Sequence, residues 1–168
     1  MEWQKLATEC GAPLWFLPIP EVEHLAIGVL IECGSRDEVW PEEAGLNHFR
    51  EHCYFQGTCL SLRTRRDVTA HLEDVGGTMN ALTTEEITLF FHTVPADAVE
   101  RSIRVLGESL SYPRFPKEEI PAQKEIVIHE LKTDEDDPYE FLAERWRRRR
   151  MKGHPLAQTE GGLVCSIR

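Results

Sequence analysis

The sequence is organised around the stretch His48-Phe49-Arg50-Glu51-His52. Two histidines four positions apart lie on one face of an α-helix, because the helix completes a turn about every 3.6 residues. Both imidazole rings can therefore reach one metal ion. Glu51 precedes the second histidine, where its carboxylate can take a proton from a water molecule without binding the ion itself. We therefore expect a helix that carries part of a metal site.

The order of these residues, H-x-x-E-H, is the inverse of the H-E-x-x-H pattern of zinc peptidases. A catalytic zinc ion usually has three protein ligands and keeps a further position open for water. The sequence offers two candidates for the third ligand, Glu130 and its neighbour His129, within a second helical pattern. Adjacent residues point about 100° apart around a helix, so we do not expect both to bind one ion. Spacing alone favours neither of them.

Composition and charge limit the classes of protein to consider. The chain has 168 residues, with 41% hydrophobic and 29% charged, which is typical of a folded globular domain and not of a disordered one. A formal net charge of −10 argues against a nucleic-acid partner. No apolar run is long enough for a membrane span, and the N-terminal residues do not resemble a signal peptide. The five cysteines form no C-x-x-C pair, so we expect a cytoplasmic protein without membrane association.

The predicted elements indicate an α+β fold, with a mainly antiparallel sheet and helices packed on one side of it. Strand patterns occur at 15–17, 25–31, 78–82 and 87–94, and Pro18 and Pro20 lie in the turn between the first two. Helical patterns occur at 41–57, 64–75, 99–110, 115–133 and 138–151. We expect residues 1–168 to form a single domain.

Five stretches of the chain match one known family in the same order. The run 45–58 is similar to the pattern G-x-x-H-x-x-E-H-x-x-F-x-G-T. The other matches are the loop 34–38, the strand 76–83, the helix end 127–130 and the loop 153–156. Together they resemble the pitrilysin family of zinc peptidases, which includes insulin-degrading enzyme and mitochondrial processing peptidase. The resemblance covers about residues 12 to 165, and implies the fold of that family's N-terminal domain, incomplete at its C-terminal end.

The resemblance implies a metal site and a reaction. His48, His52 and Glu130 match the family's ligands for one zinc ion per chain. Glu51 matches the general base, which activates a water molecule for peptide-bond hydrolysis. One position departs from the family, which usually has a glutamate seven residues before its ligand glutamate. Gln123 stands there in this chain, and an uncharged amide should support the site less strongly.

The resemblance also implies a substrate and a partner. Asn80, Ala81 and Leu82 resemble an edge strand that pairs with the backbone of an extended peptide. The expected substrates are therefore short or unfolded peptides. Family chains contain further related domains that close around the substrate, whereas this chain resembles only the first. We expect a homo-oligomer or a partner chain to supply the missing half, and a sheet edge that is open to pairing.

Two functions follow from the same fold. The first is a zinc endopeptidase domain. The alternative is a non-catalytic or weakly active subunit or fragment that assembles with a partner chain. The presence of Glu51 and of the three ligand residues favours the enzyme, since inactive relatives typically lose them. A purely structural zinc site fits less well, because such sites are closed by four protein ligands.

Overall fold

The computed structural model describes residues 2–167, and its elements form an α+β architecture as expected. The five strands are β1 (Gln4–Ala7), β2 (Pro13–Phe16), β3 (His24–Ile31), β4 (Thr78–Thr83) and β5 (Thr88–Pro95). The six α-helices are α1 (Leu46–Tyr54), α2 (Arg65–Glu73), α3 (Val99–Ser111), α4 (Ile120–Asp136), α5 (Pro138–Arg150) and α6 (Val164–Ile167). Within this part of the chain, no helix is long and apolar enough to cross a membrane.

The central sheet of the fold, to which α1, α2 and α3 attach, has three antiparallel strands in the order β3-β5-β4. Side chains alternate across β5, so that Phe90, His92 and Val94 face the helices and are buried, while Leu89 and Phe91 lie on the other face and are only half-buried. Helix α3 packs against β3 and β5, and α1 and α2 pack against β4. The helices that contact the sheet therefore cover one of its faces.

The core beneath these helices is aliphatic. Its buried members come from the α2 region, β5 and α3, and they are Leu62, Val68, Leu72, Val94, Ala98 and Val105. Each fully buried valine or leucine contributes about 1.5–3 kcal/mol through removal of apolar surface from water. Helix α2 enters this core through a capping box, in which Thr64 Oγ1 accepts from the Asp67 N–H and the Asp67 carboxylate accepts from the Thr64 N–H. The core therefore holds β5 and β4 in place behind α1.

The N-terminal strands pair differently from the sequence expectation. The turn at Pro18 and Pro20 does not join two neighbouring strands, since β2 pairs with β1 in a separate two-stranded sheet and β3 pairs with β5. Strand β1 was not predicted, because its sequence Gln-Lys-Leu-Ala contains no β-branched or aromatic residue. The turn between β1 and β2 contains Gly11 at a φ of 84°, a conformation that glycine adopts without strain.

Two helices begin later than predicted. The helix expected from Pro41 begins at Leu46, after Gly45 at a φ of 85°. A Cβ atom on Gly45 would lie only 2.5 Å from the carbonyl oxygen of Gly161, so the bare backbone is needed where the loop 159–162 packs against the start of α1. The helix expected from 115 begins at Ile120, with Pro121 in its first turn, where a proline is tolerated.

Candidate metal centre

Three metal-ligand side chains from two helices converge at one point. His48 and His52 lie on α1, with their Nε2 atoms 3.2 Å apart. Glu130 Oε2, from α4, lies 3.2 Å from His52 Nε2 and 3.6 Å from His48 Nε2. Ligand atoms at about 2.0–2.1 Å from a tetrahedral zinc ion are about 3.4 Å from each other. The three atoms therefore have the spacing of one face of a zinc tetrahedron, and this donor set fits that metal.

Apolar packing between α1 and α4 brings the three ligands together. Phe49, next to His48, packs against a buried cluster that contains Val127 and Ile128 of α4, together with the half-buried Leu131. Val127 lies three residues before Glu130, on nearly the same face of α4. Packing of Val127 in this cluster therefore turns the Glu130 side of α4 towards α1. His129 is exposed and takes no part in the cluster.

The environment of His48 favours the form that binds a metal. Burial, with a smaller contribution from the nearby His52, lowers the pKa of His48 to about 4. Its imidazole is therefore neutral at pH 7 and has a lone pair to offer. His48 Nδ1 is buried and has no hydrogen-bond partner among residues 2–167. The backbone of Gly161 closes this side of the ring, since a Cβ added there would lie 3.8 Å from Nδ1.

Glu51 lies beside the ligands but outside the converging set. Burial raises the pKa of its carboxyl above the ordinary value, and the negative charge of Glu130 acts in the same direction. A hydrogen bond from Thr83 and the proximity of His52 oppose that rise. A carboxylate with a raised pKa is a stronger base, which suits it to accept a proton from a nearby water molecule. The position suits a general base.

A buried carboxylate anchors the start of α1. Glu38 accepts hydrogen bonds from the backbone N–H groups of Gly45 and Asn47, each at 2.8 Å. The Asn47 side chain donates to the carbonyl of Gly34 at 2.9 Å. Burial raises the pKa of Glu38, and these backbone bonds act against the rise. The first turn of a helix leaves N–H groups unpaired, so Glu38 satisfies them immediately before His48.

The remaining predicted residues lie outside the ligand cluster. Asn80, Ala81 and Leu82 lie on β4, which pairs only with β5 among the described strands and therefore has a free edge. Asn80 Oδ1 accepts from the N–H of Ala81 at 2.9 Å, so this side chain covers one backbone donor. Gln123 lies on α4 two turns before Glu130 and is 4% exposed. Its Oε1 has no hydrogen-bond partner among residues 2–167.

Sequence reasoning missed the roles of two residues around the site. The strand pattern at 78–82 ends before Thr83, whereas Thr83 is the last residue of β4 and donates a hydrogen bond to Glu51. Its period-two spacing from Ala81 and Met79 could have assigned it to the face that the helices cover. Glu38 was noted only as part of a matching loop. Its bonds to α1 depend on the folding of the 39–45 turn, most of which the sequence pattern assigned to the helix itself.

Comparisons with known proteins give the family. The model of the family described as Insulinase (Peptidase family M16) matches residues 19–160. A Bacillus subtilis protein named as the uncharacterized zinc protease YmxG is 32% identical over 149 residues, which are 86% of this chain and 36% of that protein. A probable mitochondrial-processing peptidase subunit beta of Arabidopsis thaliana is 31% identical over 142 residues, 84% of this chain and 26% of that protein. The chain thus spans about a third of the length of the curated relatives it matches.

Solved structures share the fold. A protease from Helicobacter pylori superposes with a TM-score of 0.87 at 22% identity, over 99% of this chain and 40% of that one. An M16 inactive domain from Pseudomonas fluorescens gives 0.85 at 16% identity, again over 99% and 40%. Pitrilysin gives 0.82 at 21% identity, over 99% of this chain and 18% of its own. The family match covers most of the chain and agrees with the resemblance seen in its motifs: the chain belongs to the insulinase (M16) family of peptidases.

Proposed function

We propose that the chain is the zinc-binding domain of an endopeptidase that hydrolyses short or unfolded peptides. The observation that carries this proposal is the convergence of His48, His52 and Glu130 at mutual distances of 3.2–3.6 Å. A fourth side chain, Glu51, is close to the set yet does not belong to it. Three ligands and one adjacent free carboxylate are typical of a catalytic zinc site, which keeps a coordination position open.

Each residue has a defined part in the reaction. His48, His52 and Glu130 hold the ion; when bound, zinc supplies Lewis-acid polarisation of the scissile carbonyl and lowers the pKa of water. Glu51 accepts a proton from the attacking water and then gives it to the leaving amine. Burial raises the pKa of Glu51, which makes it a stronger base for the first of these transfers. Gln123 is proposed to act behind the ligands, from its buried position on α4.

The proposed substrate position is the free edge of β4. An extended peptide would add to the sheet as another strand and bond to the backbone of Asn80, Ala81 and Leu82. The Asn80 side chain occupies the N–H of Ala81, so it would have to turn away when a peptide binds. Only an extended chain can pair along an edge in this way, which favours unfolded peptides over folded proteins.

We also infer that other parts of a larger assembly take part in activity. The chain corresponds to about a third of its curated relatives, and a second copy or a partner chain would supply the opposite wall of the substrate chamber. The five cysteines are free thiols, in agreement with the cytoplasmic location predicted from the sequence. Within such an assembly, residues 1–168 act as one peptidase domain.

The test combines zinc content with cleavage of an unstructured peptide, for the parent chain and for Glu51→Gln. Both proteins should bind about one zinc ion, because Glu51 is not a ligand. Cleavage by Glu51→Gln should be slower by about 10²–10⁴-fold, the usual contribution of a general base. Equal rates for the two proteins would contradict the role of Glu51. A parent chain that binds zinc and cleaves nothing would instead support the non-catalytic alternative.

A further inference from the structure

A buried hydroxyl lies directly behind the proposed base. Thr83 Oγ1 donates a hydrogen bond of 2.5 Å to Glu51 Oε2, and Thr83 is only 5% exposed. Hydrogen bonds from a hydroxyl to a carboxylate are short and about twice as strong as those between neutral groups. The bond joins β4 of the central sheet to α1, and its two residues are 32 positions apart in the sequence.

The donor is held more firmly than the acceptor. Thr83 is opposite Thr88 in the β4–β5 ladder, and Thr88 Oγ1 in turn donates to the carbonyl of Cys33 at 2.9 Å. Both threonines are buried. A β-branched side chain on a paired strand has little freedom at χ1, whereas a glutamate has several rotatable bonds to order. Thr83 therefore restricts Glu51, and not the reverse.

Without the hydrogen bond from Thr83, the Glu51 carboxylate could take a second position, beside the metal ligands. Glu51 is adjacent to His52 on α1 and three residues after His48, so the metal-binding atoms are within its surroundings. A carboxylate is itself a good zinc ligand. If Glu51 turned towards the ion, it would occupy the position that water needs and could no longer accept that water's proton.

We propose that Thr83 is a positioning residue, whose hydroxyl holds the Glu51 carboxylate away from the metal ligands and directs it at the attacking water. This proposal rests on the proposed function, because it assigns a role to Glu51 in catalysis. It adds one requirement for catalysis to the three ligands and the base, namely a hydroxyl group at the end of β4.

The first test replaces Thr83 with residues of nearly the same shape. Thr83→Val removes the hydroxyl, and Thr83→Ser keeps it. Thr83→Val should lower kcat by about 10–100-fold, as the loss of other partners that orient catalytic-site groups does, with KM and zinc content unchanged. Thr83→Ser should remain within a few-fold of the parent. In the Glu51→Gln background, Thr83→Val should cause no further loss, because the group it positions is absent.

The second test does not depend on cleavage. The protein is loaded with Co²⁺ in place of zinc, and the visible absorption of the ion reports its coordination. Thr83→Val should shift the spectrum as Glu51 joins the ligands, and the combined Thr83→Val, Glu51→Gln variant should return it to that of Glu51→Gln alone. If the parent binds metal but cleaves no peptide, the proposed function fails and the spectra still decide the role of Thr83.

Three outcomes would overturn the positioning role. They are an unchanged kcat and spectrum in Thr83→Val, an equal loss in Thr83→Ser, and a further loss in the Glu51→Gln background. Urea unfolding of each variant verifies the fold. If Thr83→Val does not fold, Thr83→Ala makes the same comparison with a smaller side chain.

Discussion

The two faces of the central sheet differ in how completely other parts of the chain cover them. On the face beneath the helices, Phe90 is 2% exposed and packs against Tyr54 and Phe55, at the end of the helix that carries His48 and His52. On the opposite face, Leu30 and Leu82 lie on either side of Leu89 in one row across the sheet. They are 55% and 46% exposed. Along β5, the first face is buried, whereas the second presents apolar side chains to solvent.

Because the two faces differ in this way, formation of the metal site does not depend on what covers the apolar face. Glu51, Thr83 and the three ligand residues all lie on or above the covered face, and their contacts come from within residues 2–167. None of those contacts uses the row of leucines on the other face. We therefore expect the metal centre to form in this chain whether or not the apolar face is covered.

Among substitutions on the helix-covered side of the sheet, loss of a zinc ligand should have the largest effect on zinc content and cleavage. His48→Ala removes one of three zinc ligands, so zinc content should fall from about one ion per chain to near zero, and peptide cleavage should fall to background. His129→Ala is the matched control, because His129 is exposed and adjacent to Glu130. It should keep the zinc content of the parent. Zinc loss in Leu30→Ser would show that the two faces are not independent.

Truncation of a side chain in the core beneath the helices should lower the free energy of unfolding far more than truncation on the opposite face of the sheet. Phe90→Ala should lower the free energy of unfolding by about 3–5 kcal/mol, because it removes a buried ring and leaves a cavity. Leu30→Ala, on the same sheet but exposed, should change it by about 0.5 kcal/mol or less. Urea unfolding of the metal-free protein measures both. Similar losses for the two variants would mean that Leu30 is buried in solution, as it would be in an oligomer.

Features that depend on one helix alone could be predicted from the sequence, whereas features that depend on packing between distant elements could not. The pairing of His48 with His52 is a local property of one helix, so the motif alone indicated it. The choice of Glu130 over His129 depended on how Val127 and Leu131 pack against α1, which spacing does not show. Strand β1 is extended because it pairs with β2, and its own residues have little strand preference.

A buried histidine on the covered face should make stability depend on pH. His92 lies on β5 with its Nδ1 3.0 Å from Ser102 Oγ, and burial lowers its pKa to about 4 from the ordinary 6.5. Between these two values the unfolded chain binds a proton that the folded chain does not, so unfolding becomes more favourable as the pH falls. The contribution of His92 is thus fully present above pH 6.5 and declines towards pH 4, by roughly 3 kcal/mol in all.

The measurement is urea unfolding of the metal-free protein at pH 7, 5.5 and 4.5, for the parent, His92→Gln and His24→Gln. Glutamine at 92 cannot be protonated, so that variant should lose less stability between pH 7 and pH 4.5 than the parent does. His24 lies exposed on β3 of the same sheet, and its replacement should leave the parent's pH dependence unchanged. An equal slope in the parent and in His92→Gln would mean that His92 is hydrated in solution. The covered face would then be less closed than its burial indicates, and the contrast between the two faces would be correspondingly smaller.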